Sequence, residues 1–273
     1  AGASCGIGNF MGLVPESMND AKFYGVELDS ISGRIAQQLY QKNSIAVQGF
    51  ENTNLPDSFF DAAIGNVPFG QFKVPDKRYD KHNFLIHDYF FARTLDKVRP
   101  GGVIAFITSK GTLDKENPNV RKYIAQRADL LGAIRLPNDT FKAAAGTEVT
   151  SDIIFLQKRD RLVDIERLGA SATDANGIRM NAYFVDNPEM VLGDMQMVSG
   201  PHGMEPACIA YENAELGDLL RDAIQNIHAE ITEFEIDDLE AEDEDLSIPA
   251  DLMCAISASR WWTARFITAK TAA

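Results

Sequence analysis

Phe60-Asp-Ala-Ala-Ile-Gly65 is a short apolar run, and Asn66-Val67-Pro68-Phe69 follows it without a break. The run predicts a buried β-strand. Pro68 cannot donate a ladder hydrogen bond, so we expect the strand to end there and a loop to begin. In an open α/β sheet, such a loop at a strand's carboxyl end is where ligands bind.

Strand and helix patterns alternate on both sides of this stretch, which predicts an α/β fold with a doubly wound, mostly parallel sheet. The nearly continuous apolar run 103–108 is typical of a central parallel strand. Further strands are predicted at 24–29, 44–48, 130–136 and 151–157, and helices at 30–40, 83–98 and 119–128.

The pattern weakens beyond residue 160, where we expect a less regular extension containing one long helix at 213–234. The net charge of −14 is concentrated there: residues 1–160 sum to +1, whereas residues 161–273 sum to −15. The acidic run 230–245 is interpreted as a solvated linker, with a binding role as the alternative.

Composition excludes several classes of protein. No apolar run is long enough to span a membrane, and the first residues do not resemble a secretory signal. Three widely spaced cysteines indicate neither a zinc site nor a disulfide framework, and no metal cluster is expected. A reducing cytoplasm is the expected compartment.

The turn Ser4-Cys5-Gly6-Ile7-Gly8-Asn9-Phe10 contains two glycines that permit close approach of a ligand to the backbone, although a surface turn would look the same. About twenty residues on, Glu27 and Asp29 close a predicted strand. Asp29 is expected to cap the next helix, which leaves Glu27 to accept hydrogen bonds from ribose hydroxyls. Together the two segments predict a nucleoside site.

The order of glycine turn, acidic strand end and Asn66-Val67-Pro68-Phe69 resembles the amino-group DNA methyltransferases. The resemblance implies a Rossmann-like methyltransferase fold, S-adenosylmethionine as cofactor, and an exocyclic amino group, that of adenine, as target. The family's loop is Asn or Asp, then Pro or an aliphatic residue, then Pro and an aromatic. Val67 departs from the commonest form, which has proline at this position. The departure is tolerable, because valine supplies a backbone carbonyl as proline would.

The resemblance assigns roles to individual residues. Asn66 and the Val67 carbonyl would orient the amine, Pro68 would stiffen the loop, and Phe69 would stack on a base flipped out of the duplex. The cofactor would be held by Ser4, Cys5, Gly6, Gly8, Phe10, Glu27 and Phe50. For Phe50, packing in the core is an equally open interpretation.

A basic cluster that follows the loop is expected to contact DNA phosphates, with a solvated loop as the alternative. It comprises Lys73, Lys77, Arg78 and Lys81, and Lys110 is a further candidate after the predicted strand 103–108.

The most extended resemblance is to the N-6 DNA methylase region of large methylase–helicase proteins of mobile elements and phages, in which a helicase-like region follows. It implies a catalytic core at 1–160, a C-terminal extension at 161–250 and a tail at 251–273.

Two departures from the relatives stand out. Gly2 and Ala3 replace an acid and a proline of the relatives, and the first strand is lacking, so we expect the chain to begin inside the domain and to bind cofactor weakly. The tail is interpreted as a frameshifted, non-native segment.

The leading prediction is therefore an adenine-specific DNA methyltransferase of a modification or mobile-element system. RNA adenine or a protein glutamine amide would suit the same loop, because each offers a planar amine. The alternative is a catalytically degenerate module that binds nucleic acid or serves as a scaffold in a larger methylase–helicase protein.

Overall fold

The computed structural model describes residues 1–164, 171–200 and 203–232. Residues Ala1–Phe234 form one compact unit. The expectations for the acidic run beyond residue 232 and for the tail 251–273 lie outside the described residues. No helix in the described part is long and apolar enough to cross a membrane.

The element order confirms the predicted α/β class. The helices are α1 Asn9–Gly12, α2 Ser30–Leu39, α3 Ile86–Lys97, α4 Gly111–Asp114, α5 Asn119–Ala125, α6 Lys142–Ala145, α7 Ala182–Asp186 and α8 Leu216–Gln225. The strands are β1 Tyr24–Glu27, β2 Ser44–Val47, β3 Phe60–Asn66, β4 Val98–Ser109, β5 Ala128–Leu136, β6 Ser151–Lys158, β7 Ser171–Thr173, β8 Arg179–Asn181, β9 Asp194–Gly200 and β10 Gly203–Ile209.

The main sheet has the strand order β3-β4-β6-β5. Strand β3 is parallel to β4, and β6 runs antiparallel to both of its neighbours, so β5 points the same way as β3 and β4. Strands β1 and β2 form a second parallel pair. Of the first six strands, β1 to β5 therefore place their carboxyl ends at one edge, as the sequence predicts, and β6 runs the opposite way.

Ala1 and Gly2 lie between β1 and β3. Gly2 donates to the Tyr24 carbonyl (2.7 Å) and accepts from the Val26 amide (2.8 Å). On the other side, the Ile64 amide donates to the Ala1 carbonyl (2.9 Å). The expected absence of a first strand is thus refined: a two-residue extended segment joins the strand pair to the main sheet.

Helix α3 and the segment just after α8 pack on opposite faces of the sheet, and part of the second face, at Ile64, is exposed. On one face, Phe91 of α3 packs edge-on against Phe106 of β4, with ring centroids 5.2 Å apart. On the other, Ile227, just after α8, lies so close to Gly132 that a β-carbon there would be 3.3 Å from its side chain. Helix α3 itself is buried along nearly its whole length.

The region beyond β6 differs from its prediction. Helix α8 begins at Leu216 and ends at Gln225, so the long helix expected at 213–234 is wrong in its bounds. Asn213 has a left-handed φ of 64°, which a helical residue cannot adopt, and Asn226 ends the helix. Four strands in two hairpins also occupy this region, where the sequence showed few strand signals.

Candidate active site

Asn66 is the last residue of β3, and its side chain is exposed at the carboxyl edge of the sheet. The next amide, that of Val67, still donates to the Ile107 carbonyl of β4 (3.0 Å), and the Val67 side chain is buried. The loop is therefore fixed to the sheet up to the residue before Pro68. In the described part of the chain, neither the Asn66 side chain nor the Val67 carbonyl has a hydrogen-bond partner, so both oxygens can accept from a ligand.

Pro68 and Phe69 continue the loop in half-buried positions. Phe69 packs on the core with part of its side chain. Part of the residue thus stays accessible, which stacking on a base requires.

The glycine turn lies next to the carboxyl end of β1, where the Cys5 amide donates to the Val26 carbonyl (3.0 Å). Glu27 ties it down, because its carboxylate accepts from the Gly6 amide (2.8 Å) and from the Asp29 amide (2.9 Å). Each carboxylate oxygen has a lone pair left for another donor. The space beside Gly6 is open, since a β-carbon built there would meet nothing within 4 Å.

Asp29 is the cap of α2, as predicted, and accepts from the Ser32 amide (2.7 Å). That amide also holds the pKa of the Asp29 carboxyl below its usual value. Since Asp29 is engaged in this way, Glu27 is the carboxylate at this strand end that faces the turn.

Tyr40 holds the glycine turn from the side of α2. A β-carbon on Gly8 would lie 2.7 Å from the ring carbon Cδ2 of Tyr40, and one on Gly12 would lie 2.6 Å from its hydroxyl oxygen. Gly8 also has a φ of +90°. The backbone conformation at Gly8 therefore favours glycine, and Tyr40 would have to move to admit a β-carbon at Gly8 or Gly12.

We expect Gly8→Ala to lower the free energy of unfolding by about 1–3 kcal/mol, because it adds strain and a clash with Tyr40. Gly6→Ala is the matched control: Gly6 also has positive φ (55°) but no neighbour to clash with. Urea denaturation of both variants measures the difference. Equal losses would contradict the role given to Tyr40.

Phe50 lies in the core and is only 5% exposed. Its ring is 5.2 Å from that of Phe90 and 5.1 Å from the Arg93 guanidinium. Of the two open interpretations for Phe50, the structure shows the core packing, and the role of a cofactor-stacking residue stays a prediction.

Ser4 is half-buried in the turn, while Cys5, Gly8 and Phe10 line a cavity of about 880 Å³ on one sheet face. This cavity also reaches Tyr24 and Ile64, but neither Glu27 nor Asn66 lines it. The turn therefore has two sides, one toward the cavity and one toward Glu27 and the carboxyl edge.

Burial, followed by the nearby charge of Glu27, raises the pKa of the Cys5 thiol to about 11. At pH 8 the reactive thiolate is then about 100-fold rarer than for an ordinary thiol. We expect Cys5 to be alkylated by iodoacetamide correspondingly slowly, with a rate that rises with pH, and to react faster in Glu27→Gln. Peptide mass spectrometry follows the site, and fast alkylation at pH 8 would contradict this environment.

The basic cluster is spread over a larger area than predicted. Lys73, Lys77 and Lys81 are exposed and, among the described residues, have no ion pair. Arg78 pairs with Asp57 (2.7 Å) and with Asp96 (2.9 Å). Asp57 precedes β3, so Arg78 lies at the amino end of that strand, about 20 Å from Asn66 at strand geometry. The expectation that the whole cluster adjoins the loop is therefore wrong for Arg78, because two carboxylates hold this residue near the amino end of β3.

Lys110 follows β4 directly, near the carboxyl edge, but its ammonium donates to the Pro206 carbonyl of β10. Burial lowers the pKa of Lys110 below its ordinary value. Its charge is therefore partly enclosed between the sheet and the β9–β10 hairpin.

Comparison with known proteins identifies the family of this chain. The family model described as N-6 DNA Methylase matches residues 13–176. The Defense against restriction protein B of Escherichia phage P1 is 36% identical over 138 residues, which are 48% of this chain and 6% of that protein. The chain therefore spans only a small part of this relative.

Two solved structures illustrate the similar folds. A putative class I S-adenosylmethionine-dependent methyltransferase from Listeria monocytogenes is 22% identical, with 62% of this chain and 55% of that chain covered and a TM-score of 0.47. A modification subunit of a putative type I restriction enzyme from Vibrio vulnificus is 15% identical, with 80% and 56% covered and a TM-score of 0.48. The family assignment rests on the model match, which spans more than half of the chain: this chain belongs to the N-6 DNA methylase family.

Proposed function

We propose that this chain is the methyltransferase core of an S-adenosylmethionine-dependent enzyme that methylates the exocyclic amino group of adenine in DNA. The observation that carries the proposal is a pair of acceptors at the end of β3, the Asn66 side chain and the Val67 carbonyl, which have no partner among the described residues and lie on a loop fixed by the Val67–Ile107 hydrogen bond. Membership of the N-6 DNA methylase family supports the same chemistry.

The residues present fit the cofactor. Open space beside Gly6 admits a ligand against the backbone, and Glu27 offers free lone pairs next to it for ribose hydroxyls. When bound there, S-adenosylmethionine supplies a sulfonium-activated methyl group. The other proposed contributors to cofactor binding are Ser4, Cys5, Gly8, Phe10 and Phe50. Phe50 would contribute by fixing the shape of the segment that it anchors.

The chain's own part in the reaction is positioning and electrostatics. An amine conjugated to a purine is a poor nucleophile, because its lone pair belongs to the ring system. Acceptance of its two hydrogens by the Asn66 oxygen and the Val67 carbonyl favours a tetrahedral nitrogen, whose lone pair is no longer shared with the ring. A carbon–nitrogen bond then forms as the methyl carbon–sulfur bond breaks, and the nitrogen loses a proton to solvent.

DNA is the proposed nucleic acid, held by phosphate contacts to Lys73, Lys77 and Lys81, with Lys110 near the edge and Arg78 farther away. The similarity to a phage protein named for defense against restriction supports a modification or mobile-element setting. In that setting the chain acts in the cytoplasm, with a helicase-like region as a further proposed partner in a longer polypeptide.

The test offers methyl-labelled cofactor and the purified chain to duplex DNA, RNA and protein in parallel. The proposal predicts label in DNA. Label in RNA or protein alone would keep the amine chemistry and replace the substrate. If no acceptor is labelled by the chain or by its longer parent protein, although DNA binds, the degenerate nucleic-acid-binding module takes the place of the enzyme.

A further inference from the structure

Arg93 lies in the middle of α3 and is 8% exposed. One side of its guanidinium reaches the segment that follows β2, where Nη2 donates to the Thr53 carbonyl (3.0 Å) and more weakly to the Glu51 carbonyl (3.4 Å). Its charged plane also lies over the Phe50 ring, 5.1 Å from the centroid. The segment 50–53 is thereby held against α3 from the cofactor side of the sheet.

The other side of the same guanidinium reaches the loop that follows Phe69. Nη1 donates to Asp76 Oδ2 at 2.7 Å, and the Tyr89 hydroxyl donates to the same oxygen at 2.9 Å. The second oxygen of Asp76 accepts from the Arg78 amide (3.0 Å). Both oxygens of Asp76 are thus engaged, and this side chain ties the loop to α3.

The chemistry of this contact is specific to arginine. A planar guanidinium directs several donors in fixed directions, so it can hold two backbone segments at once, whereas a lysine ammonium is a flexible point charge. The pair is nearly enclosed, with the two side chains 9% and 13% exposed. Loss of either partner would leave a buried charge without compensation and break the link between the two segments.

We propose that Arg93 and Asp76 are positioning residues that couple cofactor binding at segment 50–53 to DNA binding at the loop 71–81. The inference rests on the proposed function, since it takes Phe50 as part of the cofactor side and Lys73 and Lys77 as part of the DNA side. A ligand that orders one segment orders the other through the shared guanidinium. Each ligand therefore raises the affinity for the other by the same factor.

The experiment measures that factor. S-adenosylhomocysteine, which cannot react, is titrated into the protein with and without a saturating adenine-containing DNA duplex, and the duplex is titrated with and without the nucleoside. The wild type is expected to show a coupling of about 5-fold or more. In Asp76→Asn and in Arg93→Lys, the factor is expected to fall to within about 2-fold of unity. A merely structural role would lower stability and leave the factor unchanged.

Asp129→Asn is the matched control, because it removes one partner of the partly exposed Arg159–Asp129 pair on β5 and should keep the wild-type factor. If Asp76→Asn does not fold, Tyr89→Phe decides, because it removes only the hydroxyl donated to Asp76 and should at least halve the factor. A wild type that binds both ligands without coupling, or variants that keep the wild-type factor, would overturn the inference alone. A wild type that binds neither ligand would overturn the proposed function.

Discussion

Asn66→Ala is expected to lower the turnover number for methyl transfer by at least about 100-fold, the usual cost of removing one group that orients or stabilises the reacting atoms. The Asn66 side chain is exposed and has no partner among the described residues, so its loss should change the free energy of unfolding by less than about 0.5 kcal/mol. Affinity for S-adenosylhomocysteine should stay within about 2-fold, because Glu27 and the glycine turn are untouched. Steady-state kinetics and calorimetry provide these values.

Two further variants make this result specific. Asn66→Asp keeps an acceptor oxygen in the same place and should retain measurable transfer. Asn176→Ala changes an asparagine in the exposed turn between β7 and β8 and should leave the kinetics unchanged. Full activity in Asn66→Ala would remove the amine-orienting role assigned to the loop.

Arg135→Met is expected to cause the largest loss of stability, about 3–5 kcal/mol. Arg135 is fully buried, donates twice to Asp152 (2.8 and 3.0 Å) and lies 2.9 Å from a carboxylate oxygen of Asp114. Its guanidinium also rests 4.2 Å from the centroid of the Phe184 ring. Removing the arginine leaves two carboxylates enclosed without the cation that contacts both of them. Such a loss is a large share of the 5–15 kcal/mol typical of a domain.

Urea denaturation checks this prediction against two controls. Arg135→Met combined with Asp152→Leu removes both members of the buried pair and should cost less than the single change. Arg159→Met breaks a partly exposed pair with Asp129, whose carboxylate is 55% exposed, and should cost less than about 1 kcal/mol. If Arg135→Met cost no more than Arg159→Met, the buried pair would not have the stabilising role described.

Much of the core could be predicted from periodicity alone. The six strands of the first 160 residues lie where apolar runs of strand length occur, and α2 and α3 follow their apolar faces. The Asp29 cap was also predictable, because a short polar side chain before a helix has few other roles. Local chemistry is sufficient in these places, since each signal depends on neighbours in the sequence.

Other features depend on contacts that are distant in the sequence. The interaction of Tyr40 with Gly8 and Gly12 joins two elements across the turn. The sequence contains one sign of the Arg93–Asp76 contact, because an arginine within an aromatic helix needs an acceptor. Only the fold shows that Arg93 also donates to Thr53. The position of Arg78 could not be predicted, because Asp57 and Asp96 approach it from two different elements. The comparable signal for Arg135 and Asp152 is that each is a charged residue beside the apolar run of its strand, β5 or β6.

The central claim is that the Asn66 loop directs methyl transfer to the amino group of adenine. The most direct measurement incubates adenine-containing duplex DNA with S-adenosylmethionine and the protein, digests the DNA to nucleosides, and quantifies N6-methyl-2′-deoxyadenosine by mass spectrometry. The account predicts that this product accumulates with the wild type and is reduced at least about 100-fold with Asn66→Ala. Methylation at another nucleoside, or equal product from Asn66→Ala, would contradict it.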